Sequence, residues 1–306
     1  MLSPFSLDMF DTEGLMTWYW FALISAMFSA AAAIFEKKTL FKEDALNFST
    51  TLAIFNVLLS IPIMLSVNWA GVSGISLLVL YGKSILGMFS FLLVMYGIKN
   101  LEISGALPLL VVTPGLVAVA AFLLLGEQLK GIEIIGLVAL LLGTYVLQLS
   151  HKKDLLEPFK VIFKSKGNRY IIGALLLFTI TSILDKVLLK NYKLKPNAFL
   201  SFQHIFLAIN FIIFSLISRR KNFSLKSTFR NSWKPILLIS VFTIIYRLTQ
   251  IEAVKIGQVA LVLALKRVSV FFAVVIGGQL FKEHYLLRKT IATLIMLAGA
   301  ALVIIG

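Results

Sequence analysis

The sequence predicts an all-α, polytopic membrane protein of ten transmembrane helices, built as two inverted five-helix repeats. Three observations predict it. Hydrophobic residues make up 59% of the chain and the mean hydropathy is +0.95, far above the soluble average. The apolar residues fall into ten runs, most of them near the roughly 20 residues that cross a bilayer. The second half of the chain also repeats the pattern of the first.

The runs are apolar on all sides, which favours helices in lipid because open strands cannot satisfy their backbone there. In the fourth run, Pro108 and Pro114 bracket Thr113 and predict a kink, whose freed carbonyls would either face a cavity or be purely structural. The first run follows Asp8, Asp11 and Glu13 with no Lys or Arg, unlike a signal peptide, so it is expected to remain as a span. The runs lie near residues 16–35, 50–67, 75–98, 104–125, 132–148, 170–189, 198–218, 235–254, 259–280 and 287–305.

A basic gap between the fifth and sixth runs divides the chain. We expect a first repeat over 16–150, a linker over 151–169 and a second repeat over 170–306. An offset of 156 places Lys99, Thr113, Glu127 and Gly143 over Lys255, Ser269, Glu283 and Gly299. Near the front of each half the offset is 149, and it pairs Glu36-Lys37 with Asp185-Lys186.

Five spans per half is an odd number, so the halves should lie in the membrane with opposite orientation, as in many alternating-access carriers. The loops after odd-numbered runs hold 19 Lys and Arg, and the remaining loops and termini hold 6. The positive-inside rule therefore predicts cytoplasmic odd loops. Four cations between Lys186 and Lys195 oppose that pattern.

The composition also narrows the function. Cys is absent, which excludes disulfides and thiolate metal sites. The net charge of +15 would indicate nucleic acid in a soluble protein, but here most cations lie in loops beside lipid headgroups. We expect membrane lipids and a small molecule as partners and no nucleic acid, with the oligomeric state open. No metal, cofactor or catalytic set is indicated, so the chain is not expected to be an enzyme.

The ninth run carries Lys266 and Arg267 well inside its length. A cation at bilayer depth costs on the order of 2.5–3.5 kcal/mol on insertion scales, so intramembrane charges mark substrate or ion pathways. Arg matches carboxylate or phosphate with a planar fork, and Lys adds a point charge. The alternative is an internal ion pair with Asp185, Glu36 or Glu252.

The eighth run presents a second polar group around Arg247. Thr243, Arg247 and Gln250 share one helical face, with Tyr246 beside them. They are candidate substrate contacts, together with Lys83 in the third run and Thr113. The alternatives are hydrogen bonds that hold the bundle together and, for Lys83, snorkelling to the nearer interface.

Two acids and one histidine are candidates for proton coupling or charge balance. Glu36 and Asp185 close the polar faces of the first and sixth runs, and His204 lies in the seventh. For the acids the alternative is a surface salt bridge with the adjacent Lys37 or Lys186. For His204 the alternative is an ordinary hydrogen-bonded helix residue.

The segment that begins at Tyr96 resembles the last part of an EamA domain. It has the Pro of the fourth helix (Pro114), the closing Gly126-Glu127 and the Gly of the fifth helix (Gly143). The segment from Glu252 is similar to a second copy, ending in Lys-Glu, with Val270 in place of the Pro. The Lys266-Arg267 pair is similar to a pair that holds phosphate in plastid sugar-phosphate translocators.

The resemblance implies a member of the EamA branch of the drug/metabolite transporter superfamily. It implies ten helices in two inverted halves and the export or exchange of small metabolites. With the buried cations, we predict a secondary-active transporter that moves a small organic anion, phosphorylated metabolites included, by alternating access in a prokaryotic plasma membrane. The alternatives are a proton-coupled exporter of amino acids or hydrophobic drugs, and a lipid-phosphate flippase.

Overall fold

The computed structural model describes residues 18–100, 112–148, 166–218, 225–269 and 286–306. Throughout these ranges the regular structure is helical, without strands, and one 3₁₀ turn (Trp69–Gly71) joins the second and third helices. The helices, numbered in chain order, are α1 Trp18–Leu40, α2 Ala45–Leu65, α3 Gly74–Asn100, α4 Thr113–Leu125, α5 Gly131–Gln148, α6 Lys166–Lys190, α7 Pro196–Ile217, α8 Leu225–Ile256, α9 Val259–Lys266 and α10 Leu286–Ile305.

Short-range signals in the sequence set several helix ends. The Asp44 carboxylate accepts a hydrogen bond from the Leu46 amide at 2.9 Å and caps α2. Pro196 begins α7 at a position that needs no N–H donor. Gly126 ends α4 in the left-handed conformation, with φ 66°, which glycine adopts without a steric penalty.

The structure bears on two expectations about helix interiors. Pro114 lies in the first turn of α4, where proline removes no hydrogen bond within that helix, and the kink expected between Pro108 and Pro114 stays a prediction. The ninth helix was expected to continue unbroken through Lys266, but α9 ends at that residue with Arg267 as its C-cap, and helical backbone resumes at residues 268–269. Residues 101–111 and 270–285, including Pro108, lie outside the described ranges.

The two halves are inverted relative to each other. The equivalent helices α2 and α7 run antiparallel, because Thr50 meets Ser215 at one end and Asn197 donates to the Ser66 carbonyl at the other. Helices α5 and α10, also equivalent, pack closely along their lengths. Counterparts that lie side by side and antiparallel are what a two-fold axis in the membrane plane produces.

The packing of α5 on α10 fixes the register of the repeat. A Cβ on Gly143 would lie 2.6 Å from the Met296 side chain and 2.9 Å from the Ala292 carbonyl oxygen. A Cβ on Gly299 would lie 2.7 Å from the Leu140 amide nitrogen and 2.8 Å from the Gly136 carbonyl oxygen. Met296 is 156 residues from Leu140, and Ala292 is 156 residues from Gly136. The close approach at Gly143 is therefore repeated at Gly299.

The contacts of α1 with α8 and of α3 with α6 repeat in the same way. The Ser25 hydroxyl donates to the Tyr246 carbonyl at 2.8 Å, and the Ser90 hydroxyl donates to the Ala174 carbonyl at 3.2 Å. Ser25 and Ala174 are 149 residues apart, and Ser90 and Tyr246 are 156 apart. Both interfaces are therefore bridged at equivalent positions, with the hydroxyl supplied by opposite members of the pair.

Within the described ranges, six helices are long and apolar enough to cross a membrane: α1, α2, α3, α6, α7 and α8. Helix α4 and the apolar parts of α5 and α10 are shorter. The chain is thus a multi-pass integral membrane protein with an all-helical, two-repeat architecture.

Adding a methyl group at the α5–α10 contact should destabilise the protein. We expect Gly143→Ala and Gly299→Ala each to lower the thermal unfolding temperature of purified protein, since overpacking of a tight contact costs about 1–3 kcal/mol. Gly82→Ala is the matched control, because a Cβ at Gly82 in α3 meets nothing within 4 Å. Equal stability in all three variants would contradict the close approach.

Candidate functional site

A buried ion pair links the two halves. The Lys83 ammonium of α3 lies 2.5 Å from one carboxylate oxygen of Asp185 in α6, and both residues are at most 6% exposed. Lys83 also lies over the ring of Phe199 in α7, 4.8 Å from its centroid. Lys83 therefore does not snorkel, and Asp185 does not form the surface salt bridge with Lys186 that was its alternative interpretation.

Arg247 extends this pair into α8. Its guanidinium lies 3.8 Å from the second Asp185 oxygen and donates to the Gln203 side-chain oxygen at 2.8 Å. Thr243 and Gln250, on the same face of α8, are each 6% exposed. The polar stripe therefore faces the bundle interior, where Arg247 and Gln250 find hydrogen-bond partners that lipid does not offer.

Lys266 joins the same network from α9. Its ammonium donates to the Gln250 side-chain oxygen at 2.6 Å, and Arg247 donates to that oxygen at 3.3 Å. The Lys266 ammonium also lies over the Tyr246 ring, 4.5 Å from the centroid, which is a cation–π contact. Gln250 thus holds two cations close together with a neutral acceptor.

We call these contacting residues the central polar network: Lys83, Asp185, Gln203, Arg247, Gln250 and Lys266. They come from five helices of both halves. All but Lys266, which is the last residue of α9, lie five to nine residues from the nearer end of their helix, about 8–14 Å along its axis. The network holds three cations and one carboxylate, so its formal net charge is +2. Uncompensated charge of this kind is costly inside a membrane protein.

Arg267, Glu36 and His204 interact electrostatically with cations of the network. Arg267 is partly buried and interacts electrostatically with Lys266. Glu36 of α1 is 8% exposed and also interacts electrostatically with Lys266. His204 is 2% exposed and interacts with Lys83 and Arg247, with no hydrogen bond to its Nδ1 from the described residues. Thr113 is buried at the start of α4. Because α1 continues to Leu40, Glu36 is not at a helix surface end, contrary to its alternative interpretation.

Lys186 does not belong among the loop cations. It is 5% exposed and donates to the carbonyls of Val254 and Gly257 at 2.8 and 2.6 Å. Glu127, 3.6 Å away, completes its surroundings and accepts from the Val259 amide. This brace ties α6, the α4–α5 loop and the α8–α9 turn. Because Lys186 is buried, only three of the four cations between Lys186 and Lys195 still oppose the topology predicted from the loop charges.

Two contacts of the network were missed from the sequence. Neither Gln203 nor Phe199 was among the candidate residues. Gln203 lies four residues from Phe199 on α7, so a helical face carrying an amide beside an aromatic was the available signal. The mid-span Asn210 and Asn56 instead form repeated cross-helix bonds, with Ser84 at 2.8 Å and with Ser240 at 2.6 Å.

Comparison with known proteins bears on this architecture. A family model described as "EamA-like transporter family" matches residues 16–149 and again 165–305. Among solved structures, a crystal structure of a protein is similar at 14% identity and a TM-score of 0.71, covering 94% of this chain and 97% of that chain. That likeness is one of fold alone. Comparison with curated protein sequences gives no match.

An inverted-repeat helical membrane protein with a charged network between its halves has the features of a small-molecule transporter. The chain belongs to the EamA-like transporter family, within the drug/metabolite transporter superfamily. Its substrate is therefore a small molecule and its setting is the membrane.

The ion pair should dominate the stability of this region. Lys83→Met leaves a buried carboxylate with only the more distant Arg247, and breaking such a pair costs about 3–5 kcal/mol. We expect Lys83→Met and Asp185→Asn each to lower the unfolding temperature, and the double variant to lose less than the sum. Strictly additive losses in a double-mutant cycle would contradict the contact.

Proposed function

We propose that this protein is a secondary-active carrier of a small organic anion that works by alternating access. The observation that carries the proposal is the convergence of Lys83, Arg247 and Lys266 on one carboxylate and one amide between the inverted halves. A purely structural network would be expected to balance its own charge, because unpaired buried charge is costly.

The chemistry of the cations indicates the type of anion. Arg247 offers a planar fork suited to carboxylate or phosphoryl oxygens, and Lys266 offers a compact charge beside it. Both now share the neutral Gln250 oxygen, which an anionic oxygen would replace with stronger, charge-assisted hydrogen bonds. Phosphorylated metabolites and carboxylates are both within this class.

The wider organisation follows the same proposal. Ten spans, with repeats over 16–150 and 170–306 around a linker, give two inverted five-helix halves. The charge distribution favours odd-numbered loops in the cytoplasm. The assignment to a prokaryotic plasma membrane is part of the same proposal. No nucleotide-binding motif is visible in the sequence, so an ion gradient or a counter-substrate supplies the driving force.

Uptake into liposomes tests the proposal. We expect purified protein to take up labelled glycerol 3-phosphate or malate in preference to phenylalanine or tetraphenylphosphonium. Uptake of only the last two compounds would overturn the anion assignment in favour of the amino-acid or drug exporter.

Lys266→Gln should reduce anion uptake at least tenfold, which corresponds to about 1.4 kcal/mol, because it removes the cation that no carboxylate contacts in the described ranges. Lys255→Gln is the matched control: it removes a cation from a side chain that is 52% exposed at the end of α8. Equal uptake by the two variants, at equal protein amount, would contradict a role of Lys266 in binding.

The proton-coupled exporter remains the second candidate because of one observation. Glu36 is a buried acid within electrostatic range of Lys266, and buried acids of this kind relay protons in many carriers. If that function is correct, an imposed pH gradient drives phenylalanine uptake and Glu36→Gln abolishes the drive. Anion uptake that is indifferent to the gradient would exclude it.

A further inference from the structure

Asp185 is the one carboxylate in contact with the central polar network among the residues that the structure describes. Its two oxygens reach different halves of the protein, one to Lys83 of α3 at 2.5 Å and one towards Arg247 of α8 at 3.8 Å. The first is a close ion pair and the second is a looser contact. The carboxylate therefore resembles a bound anion that is tethered to α6.

The repeat shows that this pair is not a requirement of helix packing. Asp185 is equivalent to Glu36 at the offset of 149, and Lys83 is equivalent to the buried Ile239 at the offset of 156. The α1–α8 interface therefore packs with an isoleucine where the α3–α6 interface has a lysine. One interface has acquired an ion pair that its counterpart does without.

An empty carrier faces a problem that a loaded one does not. To return without substrate it must pass through closed states with Lys83, Arg247 and Lys266 buried, and uncompensated buried charge is costly. Without Asp185 the contact network would carry three positive charges, and with it the network carries two. A substrate anion would lower the charge further in the loaded carrier.

We propose that the Asp185 carboxylate is a built-in counter-anion that takes the place of the substrate's anionic group and allows the empty carrier to reorient. This inference rests on the proposed anion transport. Substrate would displace Asp185 from Arg247, the contact it holds loosely, while Lys83 retains the carboxylate. Asp185 is then the residue that decides whether the carrier performs net transport or only exchange.

The wild-type protein provides the first test. In liposomes loaded with labelled glycerol 3-phosphate or malate, whichever is taken up better, we expect efflux into anion-free buffer within about tenfold of efflux into buffer that holds the same unlabelled anion. Robust exchange with undetectable net efflux would overturn the inference and leave anion transport intact. Transport of neither anion would instead overturn the proposed function.

Asp185→Asn provides the second test. We expect net efflux to fall at least tenfold relative to exchange, because exchange never requires an empty transition. The ratio of the two rates does not depend on how much protein inserts. Glu133→Gln is the control: it removes a carboxylate outside the network, at the start of α5 where Glu133 accepts from the Lys130 amide, and should leave the ratio unchanged.

The double variant Lys83→Met/Asp185→Asn separates charge balance from architecture. It removes the acid together with its closest cation, so the network again carries two positive charges. We expect its ratio of net efflux to exchange to return towards the wild-type value. A ratio as low as in Asp185→Asn alone, or an unchanged ratio in Asp185→Asn, would contradict a counter-anion role.

Discussion

The compensation of buried positive charge constrains the centre of this protein more than any other interaction. The Lys83–Asp185 pair joins α3 to α6 with both residues almost fully buried, in surroundings where an isolated charge is expensive. The second carboxylate oxygen of Asp185 lies 3.8 Å from Arg247 of α8, so one acid lies near two of the three cations. The halves are thereby connected through charge as well as through apolar packing.

The scaffold around that point is symmetric, and the charges are not. The Gly143 and Gly299 contacts and the serine bridges of α1–α8 and α3–α6 occur twice at equivalent positions. The two Asn–Ser bonds join equivalent pairs of helices, α3 with α7 and α8 with α2. The cations Lys83, Arg247 and Lys266 have no equivalents of like charge. A carrier needs two-fold symmetry to present similar inward and outward states, whereas a substrate without symmetry needs an asymmetric site.

The sequence predicted the fold more completely than the site. Apolar runs and residue offsets depend on local composition, so the inverted repeat and its registers of 149 and 156 were readable in advance. The cations were also recognisable, because charge in an apolar run is conspicuous. Their partners were not: nothing in the sequence shows that Asp185 reaches Lys83 across a helix interface rather than its neighbour Lys186. The end of α9 at Lys266 was missed because the apolar run continues beyond it.

The partners of each buried cation separate structural from functional roles. Lys186 donates to two backbone carbonyls and lies beside Glu127, so its charge and hydrogen bonds are satisfied within the fold. Lys83 has Asp185. Lys266 has a neutral amide oxygen and an aromatic ring, and no carboxylate lies within ion-pair distance of it in the described ranges. Because neutral groups compensate a buried charge only in part, Lys266 is the cation at which an anionic ligand gains most.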